Sequence, residues 1–293
     1  MSALGKAKRL AAALVPERPL RALRTLWHRS QALDPRRLRD RRRFQRINQG
    51  LSAEEIALRP GLRLAVDPEA REPFEWFCFR SPEMVRELDS FLDLTRDRSR
   101  FLDVGACHGL FSLAFTQGRP AAEAVAVEPS PLAWEVLESN LRRNGEARVT
   151  PVRAAVGAAP GTLVMRYSWH HLEAAPESAG EPGAIEIPLR TLDGLCAELG
   201  FRPDAVKLDV EGYEIAALRG AGRLLAESRP LLFLEVHPER IVQLGGSMAE
   251  LEELLTGAGY RFHGLDGAPI SRSRFRALDA VSRLTCRTET GFS

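Results

Sequence analysis

From about residue 81 onward the chain alternates short apolar runs of strand length with longer stretches of helical spacing. Phe101-Leu-Asp-Val104 and Ala124-Val-Ala-Val-Glu128 are two such runs, and each is closed by turn-forming residues. Leu110 to Thr116, between them, predicts a helix. Ser81-Pro82-Glu83 opens another that runs to about Leu94, with serine as N-cap and proline in the first turn. Pro129-Ser130-Pro131 stops the second run and starts a helix over Leu132 to Asn144, with Ser130 as N-cap and Pro131 at the first helical position. Val149 to Ala155 predicts a strand, Gly157 to Gly161 a turn, Leu163 to Tyr167 a further strand, and Ile185 to Leu189 a short alternating one. Trp169 to Gly183 has no periodicity and contains Pro, Gly and Ser, so it predicts a loop. Val206 and Leu208 fall on one side of a short strand, and Lys207 and Asp209 on the other. Tyr213 to Arg219 has helical spacing, and Pro230 and Pro238 bracket a last apolar strand. Phe74 to Phe79 is aromatic and reads as a strand or a lid piece over a pocket. Strands alternating with helices predict an α/β fold with a Rossmann-like, doubly wound, mostly parallel sheet.

The candidate chemistry sits at the carboxyl ends of these strands. Asp103 precedes Gly105-Ala-Cys-His-Gly109, a strand–glycine turn–helix unit whose glycines let the backbone approach a ligand. The spacing is Asp-x-Gly-x-x-x-Gly, looser than the Gly-x-Gly-x-x-Gly of dinucleotide sites. An acid before the glycines would repel a pyrophosphate and attract an ammonium group, which points to S-adenosyl-L-methionine. Glu128, 25 residues after Asp103, ends the second strand where an acid accepts both hydroxyls of a ribose. Around the methionine end the candidates are Asp103, Gly105, Ala106, His108 and Gly109. Pro129 and Ser130 shape the ribose edge, and Ala154 and Ala155 flank adenine. Further along, Asp209 and Glu211 end one strand and Glu235 and His237 the next, a constellation suited to a reaction centre.

The segments FLDVGACHGLFS, AVEPSPLAWEVLESNLRRN, LRTLDGL, VKLDVEGYEIAALRGA and FLEVHP together resemble the FkbM-type S-adenosylmethionine-dependent methyltransferases of class I. The resemblance runs from about Phe74 to Leu265, and its most specific block is Lys-x-Asp-x-Glu-Gly-x-Glu with Thr-Leu-Asp upstream. It implies methylation of a hydroxyl oxygen on a sugar or natural-product acceptor. The chain departs from the usual pattern at His108, where a smaller or amide side chain is more common. Such a transfer needs an aligned acceptor and a base within hydrogen-bond reach. His237 is the first candidate base, Asp209 the second, and Glu211 stands beside them. Lys207 is a candidate partner for one of these acids. Trp169, His170 and His171 are candidate acceptor contacts. Asp209, Glu211, Glu235 and His237 could also offer ligands to Mg²⁺ or another divalent ion, but no spacing dedicated to a metal is present, and none is assigned.

Charge and composition add a boundary and some exclusions. Residues 1–50 carry 14 Lys/Arg against 3 Asp/Glu, whereas the other residues carry 27 against 36. Residues 1–70 therefore read as a basic, partly helical N-terminal extension, and 71–293 as the methyltransferase domain. The block Arg36-Arg37, Arg39 and Arg41 to Arg43 suits an acidic partner or simply a solvated surface. Cys78, Cys107, Cys196 and Cys286 form no Cys-x-x-Cys pair. Leu10 to Val15 is too short for a secretory signal, and no run is long enough to span a membrane, so the expected location is cytoplasmic. Three other functions remain open on sequence: an NAD-dependent oxidoreductase, a nucleic-acid base methyltransferase, and a non-catalytic S-adenosylmethionine- or nucleotide-binding protein on the same scaffold.

Overall fold

The computed structural model describes residues 45–75, 81–168, 171–174 and 179–288. The first strands of the described residues form an antiparallel hairpin, β1 (Glu55–Arg59) and β2 (Leu62–Ala65), followed by helices α1 (Pro68–Glu75) and α2 (Pro82–Leu94). Then come β3 (Arg100–Val104), α3 (Leu110–Thr116), β4 (Glu123–Val127), α4 (Pro131–Arg143) and β5 (Val149–Val152). Four strands follow, β6 (Ala155–Val156), β7 (Gly161–Ser168), β8 (His171–Ala174) and β9 (Ala184–Arg190), and then α5 (Leu192–Glu198). The chain returns through β10 (Ala205–Leu208), α6 (Glu214–Arg219), a π-helical turn (Leu224–Ser228) and β11 (Leu231–Val236). It finishes with α7 (Pro238–Gln243), α8 (Met248–Gly257), β12 (Tyr260–Gly264), β13 (Pro269–Ile270), α9 (Arg272–Arg276) and β14 (Ser282–Thr288).

Among the described residues the main sheet has the order β13-β12-β14-β11-β10-β3-β4-β5. Its five strands from β11 to β5 are parallel, and β14, β12 and β13 add an antiparallel edge. The parallel strands are covered on both faces, which is why they read as continuous apolar runs. Leu102, Val104, Val206, Leu208 and Leu234 face the layer of α6, α8 and the π-helical turn. Phe101, Ala124, Ala205 and Phe233 face the other layer, where Phe91 of α2 meets Phe101 at a tilt and Phe111 and Phe233 edge-on. Strand order reverses between β10 and β4 around β3, so the crevice at the carboxyl ends lies at the switch point where such sheets bind ligands.

The hairpin packs into the same layer as β3 and α3 through Ile56, Leu58 and Leu64. Asn144 clamps it to the end of α4: its Oδ1 accepts from Ala65 N at 2.9 Å and its Nδ2 donates to Ala65 O at 2.7 Å. Phe74 lies on helix α1 and is buried, not on a strand or lid as its aromatic neighbours suggested, because Asp67 Oδ1 accepts from Glu69 N and starts a helix there. Residues 76–80 lie outside the described residues.

A second sheet of order β6-β9-β7-β8 sits beyond β5. The strand expected over Val149 to Ala155 is therefore two. β5 stops at Val152, and Ala155–Val156 pairs instead with Leu189 and Arg190 of β9. Pro151 is tolerated in β5 because that strand is the edge of the main sheet. The segment expected to be a loop from Trp169 contains β8, whose Leu172 pairs with Tyr167 in an antiparallel ladder. That ladder is four residues long, too short to show a period. Trp169 and His170 lie outside the described residues.

Candidate active site

A cavity of about 240 Å³ opens at the carboxyl ends of β3, β4 and β10. Its wall includes Gly105 and Cys107 after β3, Glu128, Pro129 and Ser130 after β4, and Asp209 and Glu211 after β10. The second sheet and its approaches close the far side with Ala154, Ala155, Val156, Leu163 and Met165, and Tyr213 completes the apolar surface. A larger open groove of about 650 Å³ lies at the opposite edge of the main sheet, lined by residues from Thr256 to Arg272. Among the described residues no acid lines it.

Gly105 shapes the cavity floor. Its φ is +79°, and a Cβ there would collide with the carbonyl oxygen of Asp209. The glycine thus lets the turns after β3 and β10 touch, and Val127 O receives the N–H groups of both Gly105 and Ala106, at 2.9 and 3.0 Å. Gly105→Ala is expected to lower Tm by roughly 5–10 °C and to abolish cofactor binding. Gly61→Ala shares the left-handed strain (φ +83°) but has open space around it, so its shift should be much smaller. Thermal melts of the two variants check this; equal shifts would show that the contact with Asp209 is unimportant.

Glu128 is held by the turn it serves. Its Oε2 accepts from Cys107 N at 2.8 Å and its Oε1 from Ser130 N at 2.7 Å, so the carboxylate is fixed at the cavity wall with lone pairs to spare. Burial pushes its pKa up to about 7, even though the two N–H donors pull it down. Ser130 caps α4 by accepting from Ala133 N, as expected from its sequence.

Four of the candidate cofactor residues are not on the cavity wall. Asp103 is 1% exposed, and its Oδ2 accepts from Ser112 N at 3.1 Å and Ser112 Oγ at 2.7 Å. The pleat turns it to the face of Phe101, beneath the turn, so it anchors α3 where an ammonium contact had been expected. Ala106 is buried behind Gly105. Gly109 packs on Leu137, where a Cβ would meet Cδ1 at 2.5 Å. His108 turns to the α1 side, with its ring 6.5 Å from that of Phe74, while its carbonyl accepts from Asn140 Nδ2 at 2.8 Å. Burial lowers its pKa.

The acids and the histidine after β10 and β11 do converge. Asp209, Glu211 and His237 each offer a ligand atom, and these atoms lie within 4.8 Å of one another. Lys207 Nζ donates to Asp209 Oδ2 at 2.8 Å and sits 4.9 Å from the Phe111 ring centre. Burial opposes the Asp209 charge, but the Lys207 ammonium outweighs it and holds that carboxylate below its usual range. Burial, with Asp209 next to it, pushes Glu235 up to about 8, and Glu235 is gripped by Arg283 of β14. Arg283 also reaches Glu87 of α2, at 2.9 Å. Glu211 has a φ of +51°, a conformation that costs a non-glycine residue energy and recurs at functional sites. His237 is 5% exposed and stands just behind the cavity wall, with Nε2 3.5 Å from Glu211 Oε2.

Several residues of this site had no assigned role in the sequence reading. Leu163, Met165 and Tyr213 come from elements placed correctly but not connected to the cavity. Cys107 contributes a backbone N–H, which no side-chain pattern signals. Arg283 lies in a C-terminal strand without any motif.

Residues 103–262, more than half of the chain, match the model of the methyltransferase FkbM domain. The chain belongs to this family. Methyltransferase sdnD of Sordaria araneosa is 28% identical over 152 residues, covering 41% of this chain and 59% of its own length. The chain thus spans less than two thirds of that relative's length. Among solved structures, the methyltransferase FkbM from Methylobacillus flagellatus KT is 17% identical with a TM-score of 0.44, covering 85% of this chain and 59% of that one. Precorrin-6y C5,15-methyltransferase from Geobacter metallireducens GS-15 is 16% identical with a TM-score of 0.41, covering 69% and 87%. As an FkbM methyltransferase the protein uses S-adenosyl-L-methionine. The residues of the cavity suit that molecule: a glycine floor that a Cβ would block, a carboxylate fixed at the end of β4, and an apolar wall beyond it. Among the described residues no helix is long and apolar enough to cross a membrane.

Proposed function

We propose that this FkbM methyltransferase transfers a methyl group to a hydroxyl oxygen of a small sugar or natural-product acceptor. The observation that carries the reading is the junction of the cofactor cavity with the Asp209–Glu211–His237 cluster: two of these acids are on its wall, and an imidazole stands directly behind them. Glu128 would hold the ribose, Gly105 and the turn to Cys107 the methionine end, and Ala154 to Val156 with Met165 the adenine. Bound S-adenosyl-L-methionine supplies an electrophilic methyl carbon on a sulfonium sulfur. This chain's residues then have to align a hydroxyl and remove its proton.

Asp209, tied to Lys207, is a poor base and a good acceptor for orienting the hydroxyl. His237 Nε2 takes the proton, by way of the Glu211 edge. Burial alone would push the His237 pKa down, but the hydrogen bond with Glu214 and the charges of Glu211, Glu214 and Asp209 outweigh it and hold it above the ordinary imidazole value. Turnover should therefore rise with pH through a midpoint above that of a free imidazole. A rate that is flat across that range would remove the histidine from the reaction. We also propose that the methyltransferase domain starts at the β1–β2 hairpin and not at residue 71, a reading supported by the packing of Ile56, Leu58 and Leu64 with β3 and α3. Residues 1–44 of the basic extension lie outside the described residues.

The test is transfer from methyl-labelled S-adenosyl-L-methionine to pools of hydroxylated acceptors. A base-stable methyl ether is the expected product. A methyl group released by mild base would report a carboxyl acceptor, and one on nitrogen an amine; either would overturn the reading. The convergence of three ligand atoms within 4.8 Å favours a second reading, in which a divalent cation bound by Asp209, Glu211 and His237 activates the hydroxyl. A chelator should leave turnover unchanged if His237 is the base. Loss of turnover on chelation, restored by Mn²⁺, would make His237 a ligand instead.

A further inference from the structure

We infer that Glu214 is a positioning residue that fixes the tautomer and direction of the His237 ring, so that its Nε2 lone pair faces the acids of the reaction centre. This rests on the proposed role of the cluster but not on the identity of the acceptor. His237 Nδ1 and Glu214 Oε1 lie 2.7 Å apart, the short distance of a charge-assisted bond, and a carboxylate oxygen there can only accept, which calls for a proton on Nδ1. The Glu214 side chain is fully buried at the start of α6. Its Oε1 also accepts from Gly212 N at 3.2 Å, and its Oε2 is buried with no hydrogen-bond partner among the described residues.

A buried carboxylate with one oxygen unmatched is a poor way to stabilise a fold, because the desolvation of that oxygen is uncompensated. Capping Gly212 alone would need only a neutral acceptor. The carboxylate does something an amide cannot: it accepts from Nδ1 and donates nothing, which leaves the proton on Nδ1 and the lone pair on Nε2. It also stabilises the imidazolium formed when Nε2 receives a proton. This is the relation of a buried acid to its histidine in hydrolytic triads, where the acid orients the ring without itself taking the proton. Nε2 lies 3.5 Å from Glu211 Oε2 and 3.7 Å from Glu235 Oε1, on the side of the reaction centre.

The groups facing the ring are thus Glu214 from α6, Asp209 and Glu211 from the turn after β10, and Glu235 from β11, with the Lys207 ammonium behind Asp209. Glu214 is the group in contact with the nitrogen that sets the tautomer.

Nitrogen-15 spectra of His237 across a pH titration test this without any acceptor. In the wild-type protein the neutral ring should carry its proton on Nδ1. Glu214→Gln keeps an acceptor for Gly212 and should preserve the melting temperature. The amide should, however, shift the ring toward the Nε2–H form and lower its titration midpoint by roughly one unit or more. Wherever turnover is measurable, it should fall roughly 100-fold or more, with the acid limb of the pH profile moving down by the same amount. If the glutamine variant fails to fold, Glu214→Asp withdraws the carboxylate by one methylene and should give a smaller shift of the same sign. An unchanged tautomer and midpoint in the folded variant would overturn the inference and leave Glu214 a cap of the Gly212 turn. The expected spectral shift in a protein that transfers methyl to nitrogen or to a carboxylate would instead overturn hydroxyl methylation and leave Glu214 in its role.

Discussion

Glu128→Ala weakens binding of S-adenosylhomocysteine by about 100-fold or more while the chain still folds. A ribose diol donates two charge-assisted hydrogen bonds to such a carboxylate, each worth about 1.5–3 kcal/mol, and alanine removes both. The variant also strands the N–H groups of Cys107 and Ser130, so its melting temperature falls, and Glu128→Gln, which keeps one acceptor oxygen, falls less. Calorimetric titration of the three proteins reads the affinities directly, and equal values would remove Glu128 from the ribose site.

The raised pKa of Glu128, at about 7, adds a dependence whose sign is fixed. Between the ordinary value of 4.5 and about 7, the folded protein holds a proton that the unfolded chain has released. Free-protein stability therefore declines as pH rises through that window. Cofactor affinity goes the other way, because the diol needs an ionised acceptor: it should rise up to about pH 7 and then level off. The glutamine variant should lose this dependence.

His237→Ala is expected to keep cofactor affinity and to lose roughly 10²–10⁴-fold in turnover, the usual contribution of a positioned base. The separation follows from the geometry: the ring stands behind Asp209 and Glu211 and does not line the cofactor cavity. Comparing kcat and the S-adenosylhomocysteine Kd of the variant with wild type checks both halves. A large loss of affinity with turnover intact would invert the assignment.

Much of this arrangement could be read from the sequence wherever burial on both faces left a continuous apolar run. β3, β4, β10 and β11 were such runs, and the acids that ended them marked the sheet's carboxyl edge. Glu128 and the group after β10 followed from that. The direction of each side chain was harder to read. Asp103 shares the pleat face of Phe101, so it points under the turn, which the two-residue period implies but the motif spacing hides.

The pieces that escaped are held by long-range contacts. The β1–β2 hairpin lies next to a strongly basic stretch and is fixed by Asn144, 79 residues beyond Ala65. β12 to β14 form the antiparallel edge, and Arg283 there meets Glu235, 48 residues earlier, across the sheet. No local pattern announces a counter-charge delivered from that distance. Glu214 belongs to the most specific motif of the chain, yet its role appears only when His237, 23 residues later, is folded onto it.

The most direct test of the account is a structure of the protein with S-adenosylhomocysteine bound. The account predicts the ribose hydroxyls on the Glu128 carboxylate, the adenine against Ala154 to Val156 and Met165, and the sulfur toward Asp209 and Glu211. A nucleoside turned away from Glu128, or seated in the open groove beside Tyr260, would contradict it.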